Sequence, residues 1–222
     1  MDRLRAESGQ SLVELLVVIS MLIAVLGAAM TLLIGALHSE NAGRQYAGEI
    51  QDSQAGMSRM MQDIRQADRI VLATANTIRF VLPGSTSDSV VQYECDVTMP
   101  GATSYQECTR VSATLPANAD PNSITLPAAS TGIPIVFRLT NGTITSGTNA
   151  NAVFHYSSPD QAGVDSTGQP VDASGAPVPP LYVEGKAIVP AAGETAGTHL
   201  AQLSHNTVLS SGAYLRNADV GS

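Results

Sequence analysis

The 222-residue chain contains no tryptophan, and Phe and Tyr together bring its aromatic content to only 4%. A core with so few large rings has to be assembled from Val, Ile, Leu and Ala. Positive charge is scarce as well, with 11 Lys and Arg against 19 Asp and Glu, a formal net charge of −8. The shortage deepens along the chain: from Phe80 onward, four basic residues (Arg110, Arg138, Lys186, Arg216) face eleven acidic ones. Such a region lacks the cationic footprint that a phosphate backbone requires, so direct nucleic-acid binding is not expected. The same charge suits a soluble, exposed domain.

Proline is absent before Pro83, so no proline kink interrupts a helix near the N-terminus. The signatures of chemistry are missing too. No Gly-x-Ser-x-Gly elbow, phosphate-binding glycine loop or His-Glu-x-x-His is present. Of the four histidines, His38 falls at the boundary of an apolar segment, and His155 stands apart from the others. His199 and His205 share a strand face at a spacing of six, but no cysteine or carboxylate cluster completes a metal set. No catalytic residue, metal ligand or cofactor is assigned, and the chain is not read as an enzyme.

What is present is concentrated at the N-terminus. Residues 1–9 read MDRLRAESG, and QSLVELLVVISMLIAVLGAAMTLLIGAL follows. Leu15 to Leu37 is a run of 23 residues without a charge. As a helix it measures about 34 Å, enough for a bilayer core of about 30 Å, and it is longer than a usual signal-peptide core. Arg3 and Arg5 favour an N-terminus held in the cytoplasm. Glu14 sits just inside the apolar run, where a carboxylate is costly unless it is paired or near the interface. Cleavage between Gly9 and Gln10 would place a new α-amine close to that carboxylate. Pairing between the amine of one subunit and Glu14 of another would offset both charges and fix axial register.

The string Gly9-Gln10-Ser11-Leu12-Val13-Glu14-Leu15-Leu16-Val17-Val18-Ile19 closely resembles the class III signal of type IV pilins and type II secretion pseudopilins. The resemblance implies that prepilin peptidase cuts after Gly9, that Gln10 becomes the methylated N-terminus, and that Glu14 supports assembly. Gln10 stands where many members have Phe or Met, and Ser11 where Thr is common. In place of the proline kink of many major pilins, Gly27, Gly35 and Gly43 either loosen the helix or allow close helix–helix approach. Met60-Met61-Gln62-Asp63-Ile64-Arg65-Gln66-Ala67 and Tyr214-Leu215-Arg216-Asn217 are similar to J-type pseudopilins and W-type minor pilins.

Beyond the apolar run, Ile50, Met57, Met61, Ile64 and Val71 form one apolar stripe at helical period. This extends the expected helix to about Ala67, with the amphipathic segment assigned to 38–70. Short β-like runs follow: Thr77–Leu82, Val90–Cys95, Cys108–Ser112, Ile133–Leu139, Ala152–Tyr156, Tyr182–Val189 and His199–Leu209. Pro134 argues that the fourth lies at an edge or starts later. With this part outside the cytoplasm, Cys95 and Cys108 read as a disulfide between adjacent strands, worth about 3 kcal/mol by loop closure. Asn141-Gly142-Thr143 fits the glycosylation sequon but reads better as a hairpin turn. Residues 157–180, with five prolines and three glycines, read as a long flexible loop, and no internal repeat at a fixed period is apparent.

The expected fold is therefore α+β, with a long N-terminal transmembrane and stalk helix packed on an antiparallel β-rich head in the manner of pilins. Its segments are a leader (1–9), an assembly half-helix (10–37), an amphipathic half-helix (38–70) and an extracytoplasmic head (71–222). The expected function is structural: a minor pilin or pseudopilin, first a single-pass membrane protein, then part of a pilus or pseudopilus. Implied partners are other pilin subunits, prepilin peptidase, a membrane assembly platform and the lipid bilayer. The competing readings are a major pilin, a membrane-anchored surface domain unrelated to pili, and a secreted protein cut near Gly27-Ala28-Ala29.

Overall fold

A computed structural model describes residues 12–99, 101, 105–141, 152–189 and 207–215. The chain divides into two units, Met1–Gln45 and Tyr46–Ser222. Among the described residues the one α-helix, α1 (Leu12–Gln66), begins in the first unit and ends in the second. The long apolar N-terminal helix and the antiparallel sheet-rich domain expected from the sequence are both present.

In the second unit, α1 buries the stripe foreseen for it. Met57, Met61 and Ile64 are fully covered, Met60 joins them, and Ile50 is half-buried against the same core. Val71 does not belong to this stripe. The helix stops at Gln66, and β1 (Arg69–Ala73) starts three residues later, so part of the segment assigned to helix is strand. The β-branched pair Ile70-Val71 favours extended backbone. Asp68 N–H donates to the Val81 carbonyl at 2.9 Å, which turns the chain from helix directly into the sheet.

A five-stranded antiparallel sheet runs in the order β1, β2 (Thr77–Leu82), β3 (Ser89–Thr98), β4 (Gln106–Thr114) and β5 (Ile133–Leu139). Pro134 lies in β5, which is an edge strand of that sheet, as a missing N–H requires. A second sheet runs β10 (Thr207–Tyr214), β9 (Tyr182–Val189), β6 (Phe154–Ser157). One core joins α1 to both sheets: Phe80, Tyr93 and Val136 come from the first, and Phe154, Val183 and Leu209 from the second.

Two glycines set how closely these layers approach. A Cβ on Gly56 would lie 1.8 Å from the Ile135 carbonyl oxygen, so α1 meets the backbone of β5 directly. On β9, a Cβ on Gly185 would meet the ends of Met61 and Met57 at 2.5 and 2.9 Å. The outer face of the five-stranded sheet has its own cluster, Val81, Val90 and Leu115, with Ile124 and Leu126 from the segment following β4 packed on it.

Asn141 is neither exposed nor a simple turn residue. It is 1% exposed, its Nδ2 donates to the Lys186 carbonyl at 2.8 Å, and its Oδ1 accepts from Ile188 N–H at 2.9 Å. Thr140 N–H also donates to the Ile188 carbonyl at 2.9 Å. Together they stitch the end of β5 to β9. The rest of the sequon, Gly142 and Thr143, lies outside the described residues.

The expected flexible loop over 157–180 is instead folded by its own hydrogen bonds. β7 (Gly163–Val164) pairs with β8 (Pro170–Val171), and Val171 bridges to Pro177. The two connecting turns are one motif used twice: Val164-Asp165-Ser166-Thr167-Gly168-Gln169-Pro170 and Val171-Asp172-Ala173-Ser174-Gly175-Ala176-Pro177. In the first, Asp165 Oδ1 accepts from Thr167 N–H, Thr167 Oγ1 and Gln169 N–H at 2.8, 2.7 and 2.9 Å. In the second, Asp172 Oδ1 accepts from Ser174 N–H, Ser174 Oγ and Ala176 N–H at 2.8, 2.6 and 2.9 Å. Gly168 and Gly175 take φ of 86° and 84°, a region that excludes most side chains. A seven-residue repeat is thus present where none was apparent from the sequence.

Candidate functional site

Gly9 and Gln10 lie outside the described residues. Glu14 is in the first turn of α1 and exposed.

Within Glu14–Leu37 the helix reaches a mean hydropathy of 2.7 over an 18-residue stretch, and none of that stretch is buried among the described residues. The 24 residues of Glu14–Leu37 make about 36 Å of helix, long and apolar enough to cross a membrane. Leu22, Val25 and Leu32 are 58%, 67% and 76% exposed. Left in water, each such side chain forgoes about 1.5–3 kcal/mol of burial, so this surface calls for lipid or other helices. Its hydroxyls ask nothing of such surroundings. Ser20 Oγ donates to the Val17 carbonyl and Thr31 Oγ1 to the Ala28 carbonyl, each at 2.8 Å. Gly27 and Gly35 have open space where a Cβ would stand, and the helix passes through both without a break.

The disulfide is formed. Cys95 and Cys108 are joined across β3 and β4 with Cα atoms 3.8 Å apart, and both side chains are buried. They meet where the β3–β4 register shifts between Glu94 and Val97. Next to this bond Cys95 N–H donates to the Asn76 carbonyl at 2.9 Å. The β1–β2 turn is a meeting point for several segments: Ala75 accepts from Phe154 N–H at 2.8 Å and donates to the Thr167 carbonyl at 2.9 Å.

Asp63, Tyr93 and Arg110 hold the end of α1 to the sheet. The Tyr93 hydroxyl donates to Asp63 Oδ2 at 2.7 Å and Arg110 Nε to the same oxygen at 3.1 Å. Burial first, then the bond and charge of Asp63, push the Tyr93 phenol well above its ordinary pKa, with Arg110 opposing. Tyr156 is also held up by burial, its hydroxyl donating to the Thr74 carbonyl at 2.7 Å. A second clamp is Arg138, which donates to Glu49 at 3.1 Å and to the Tyr105 hydroxyl at 3.3 Å. Burial of the guanidinium pulls its pKa down, but the bonds and charges of Tyr105 and Glu49 outweigh that and raise it.

These groups bind the fold rather than converge on a cavity. His155 lies in β6 opposite Glu184, while His199 and His205 fall outside the described residues. Among the described residues no group of three or more His, Cys, Asp or Glu could hold a metal ion. Sequence reasoning did not find the Asp63–Tyr93–Arg110 and Glu49–Arg138 clamps. The only signal for them was a set of charged residues on the polar side of an amphipathic helix.

The class this defines is an α+β chain with one N-terminal helix fit to cross a membrane and an antiparallel sheet domain containing a buried disulfide. Comparison with known proteins finds no matching family model, no matching curated protein and no matching solved structure.

Proposed function

We propose that this chain is a structural subunit, a minor pilin or pseudopilin, that joins a type IV pilus-like filament or type II secretion-like pseudopilus after cleavage between Gly9 and Gln10. One observation carries the reading. The Gly9…Glu14 string leads directly into the apolar helix segment Glu14–Leu37, all of which is exposed among the described residues. A helix of that kind is completed by lipid before assembly and by neighbouring helices after it. Glu14 then pairs with the α-amine of an adjacent subunit, and the penalty of a carboxylate among apolar helices is offset.

The disulfide supports placing the sheet domain outside the cytoplasm, where such bonds persist. Arg3 and Arg5 support the matching orientation, leader inside. In this reading the partners are other pilin subunits, prepilin peptidase, a membrane assembly platform and the bilayer.

The test is the mature N-terminus, determined by intact mass and terminal peptide sequencing with and without prepilin peptidase. The expected product starts at Gln10 only when the peptidase is present, and a methyl increment identifies the modified amine. A chain starting at Met1 in both strains, or one cut near Ala29, overturns the proposal.

A further inference from the structure

Arg65, Arg79, Arg110 and Arg138 each donate to another part of the fold. Arg69, the first residue of β1, is exposed and donates to nothing among the described residues. It stands at a cavity of about 370 Å³, within the size range of small-molecule clefts, about 300–1,000 Å³.

Two loops wall this cavity, residues 84–88 between β2 and β3 and residues 115–119 after β4. Both are held by backbone bonds. Leu115 N–H donates to the Asp88 carbonyl at 2.8 Å, and Ala119 N–H to the Pro116 carbonyl at 3.1 Å. A Cβ on Gly84 would lie 2.0 Å from the Ser87 carbonyl oxygen, so the first loop is a close turn. Leu115, buried with Val81 and Val90, supplies an apolar wall. The hydroxyls of Ser85, Thr86 and Ser87 line the cavity and have no hydrogen-bond partner among the described residues. Asp88 lines it too, yet forms no ion pair with Arg69; its Oδ1 accepts from Gly84 N–H at 3.3 Å.

We propose that this cavity binds a small hydroxylated monocarboxylate, with the size and chemistry of a sugar acid, and that Arg69 grips its carboxylate. Each part of the ligand answers a part of the site. A guanidinium with its donors free matches a carboxylate through two parallel hydrogen bonds. The ligand carries one negative charge, because a single cation stands here beside Asp88 in a chain of net charge −8. A phosphate dianion would ask for more positive charge than the site supplies. Three neighbouring hydroxyls, each a donor and an acceptor, suit a ligand whose own hydroxyls are both. The proposal does not depend on the pilin reading.

The experiment is a ligand-observed NMR titration of the full chain in deuterated detergent. D-Glucuronate and D-galacturonate are expected to bind saturably with Kd about 1 mM, while glucose, acetate and inorganic phosphate bind at least tenfold more weakly. Arg69→Gln should weaken binding of the acids at least tenfold, and Arg69→Lys, which keeps the charge but loses the fork, by several-fold. Arg69 has no partner to lose, so these variants should keep the wild-type circular dichroism spectrum. Arg59→Gln, at an exposed arginine on α1, should leave binding unchanged. Trigalacturonate binding more tightly than galacturonate supports the site and identifies an acidic polysaccharide as the source; equal or weaker binding supports it for the free acid. No saturable binding up to about 20 mM overturns the proposal. So does glucose binding as tightly as glucuronate, or an affinity that Arg69→Gln leaves unchanged or that Arg59→Gln lowers equally.

Discussion

Replacing Gly56 with alanine sets two effects of opposite sign against each other. In an open helical position the change is stabilising by about 1 kcal/mol, because alanine loses less backbone entropy. At Gly56 the new Cβ would stand 1.8 Å from the Ile135 carbonyl oxygen and 2.7 Å from its carbon. A carbon and a carbonyl oxygen settle no closer than about 3.3 Å, so α1 and β5 must separate by more than 1 Å. Both partners are backbone, so no side chain can rotate out of the way. That separation loosens the Met57–Met60–Met61 layer and lengthens the 3.4 Å contact from Phe137 N–H to Ser53 Oγ. Overpacking of this kind costs about 1–3 kcal/mol, and a contact between two rigid backbones belongs at the upper end. After the helical gain is subtracted, the net loss is about 2 kcal/mol, or a fall in Tm of roughly 4–8 °C for a domain of this size. Gly48→Ala is the control, because nothing lies within 4 Å of its added Cβ; its Tm should rise by roughly 1–4 °C. Thermal unfolding followed by circular dichroism reads both. If Gly56→Ala rises along with Gly48→Ala, the close approach of helix and strand described above is wrong.

Two other perturbations test the sheet domain. Cys95→Ala/Cys108→Ala opens a loop with a sequence separation of 13 and should cost about 3 kcal/mol, seen as a lower urea midpoint; an unchanged midpoint refutes the loop-closure account. Because the bond is buried, a thiol reductant should cleave the native protein far more slowly than the urea-unfolded one. Burial holds the Tyr93 and Tyr156 phenols above the ordinary tyrosine pKa of 10.0. The unfolded chain therefore ionises first as pH rises past 10. The stability these phenols contribute is intact below pH 10 and lost above it, at about 1.4 kcal/mol per pH unit for each. Urea titrations between pH 9 and 11 should show this slope, and Tyr93→Phe should remove about half of it; a flat profile above pH 10 refutes it.

The elements that could be read from sequence were those whose pattern is local. Thr77–Leu82 and Ile133–Leu139 are strands with the bounds expected, each rich in β-branched and aromatic residues. The apolar N-terminal run shows in residue order alone, as does the stripe from Ile50 to Ile64. β1 escaped because Val71 also satisfies a helical spacing, and only pairing with β2 decides between the two. Asn141 escaped for a related reason: a sequon and a buried side-chain bridge use the same residue, and β9 lies more than forty positions away. The tandem turns were hidden by composition, since proline, glycine and serine suggest disorder until the aspartate at a fixed offset is noticed. Of the candidate site, the disulfide was legible because its two cysteines have no other partner, while the Asp63 and Arg138 clamps depend on contacts across the fold.

The tandem turn has a consequence for how this chain can vary. Each seven-residue unit closes on its own aspartate and reverses the direction of the chain. One reversal sends the backbone back the way it came, and a second restores its heading toward β9. The segment therefore obeys a parity rule. Deleting or duplicating one unit delivers the chain to the wrong end of its next strand, whereas a change of two units, fourteen residues, preserves the connection. Length differences in this appendage should come in even steps, set by direction rather than by room at the surface.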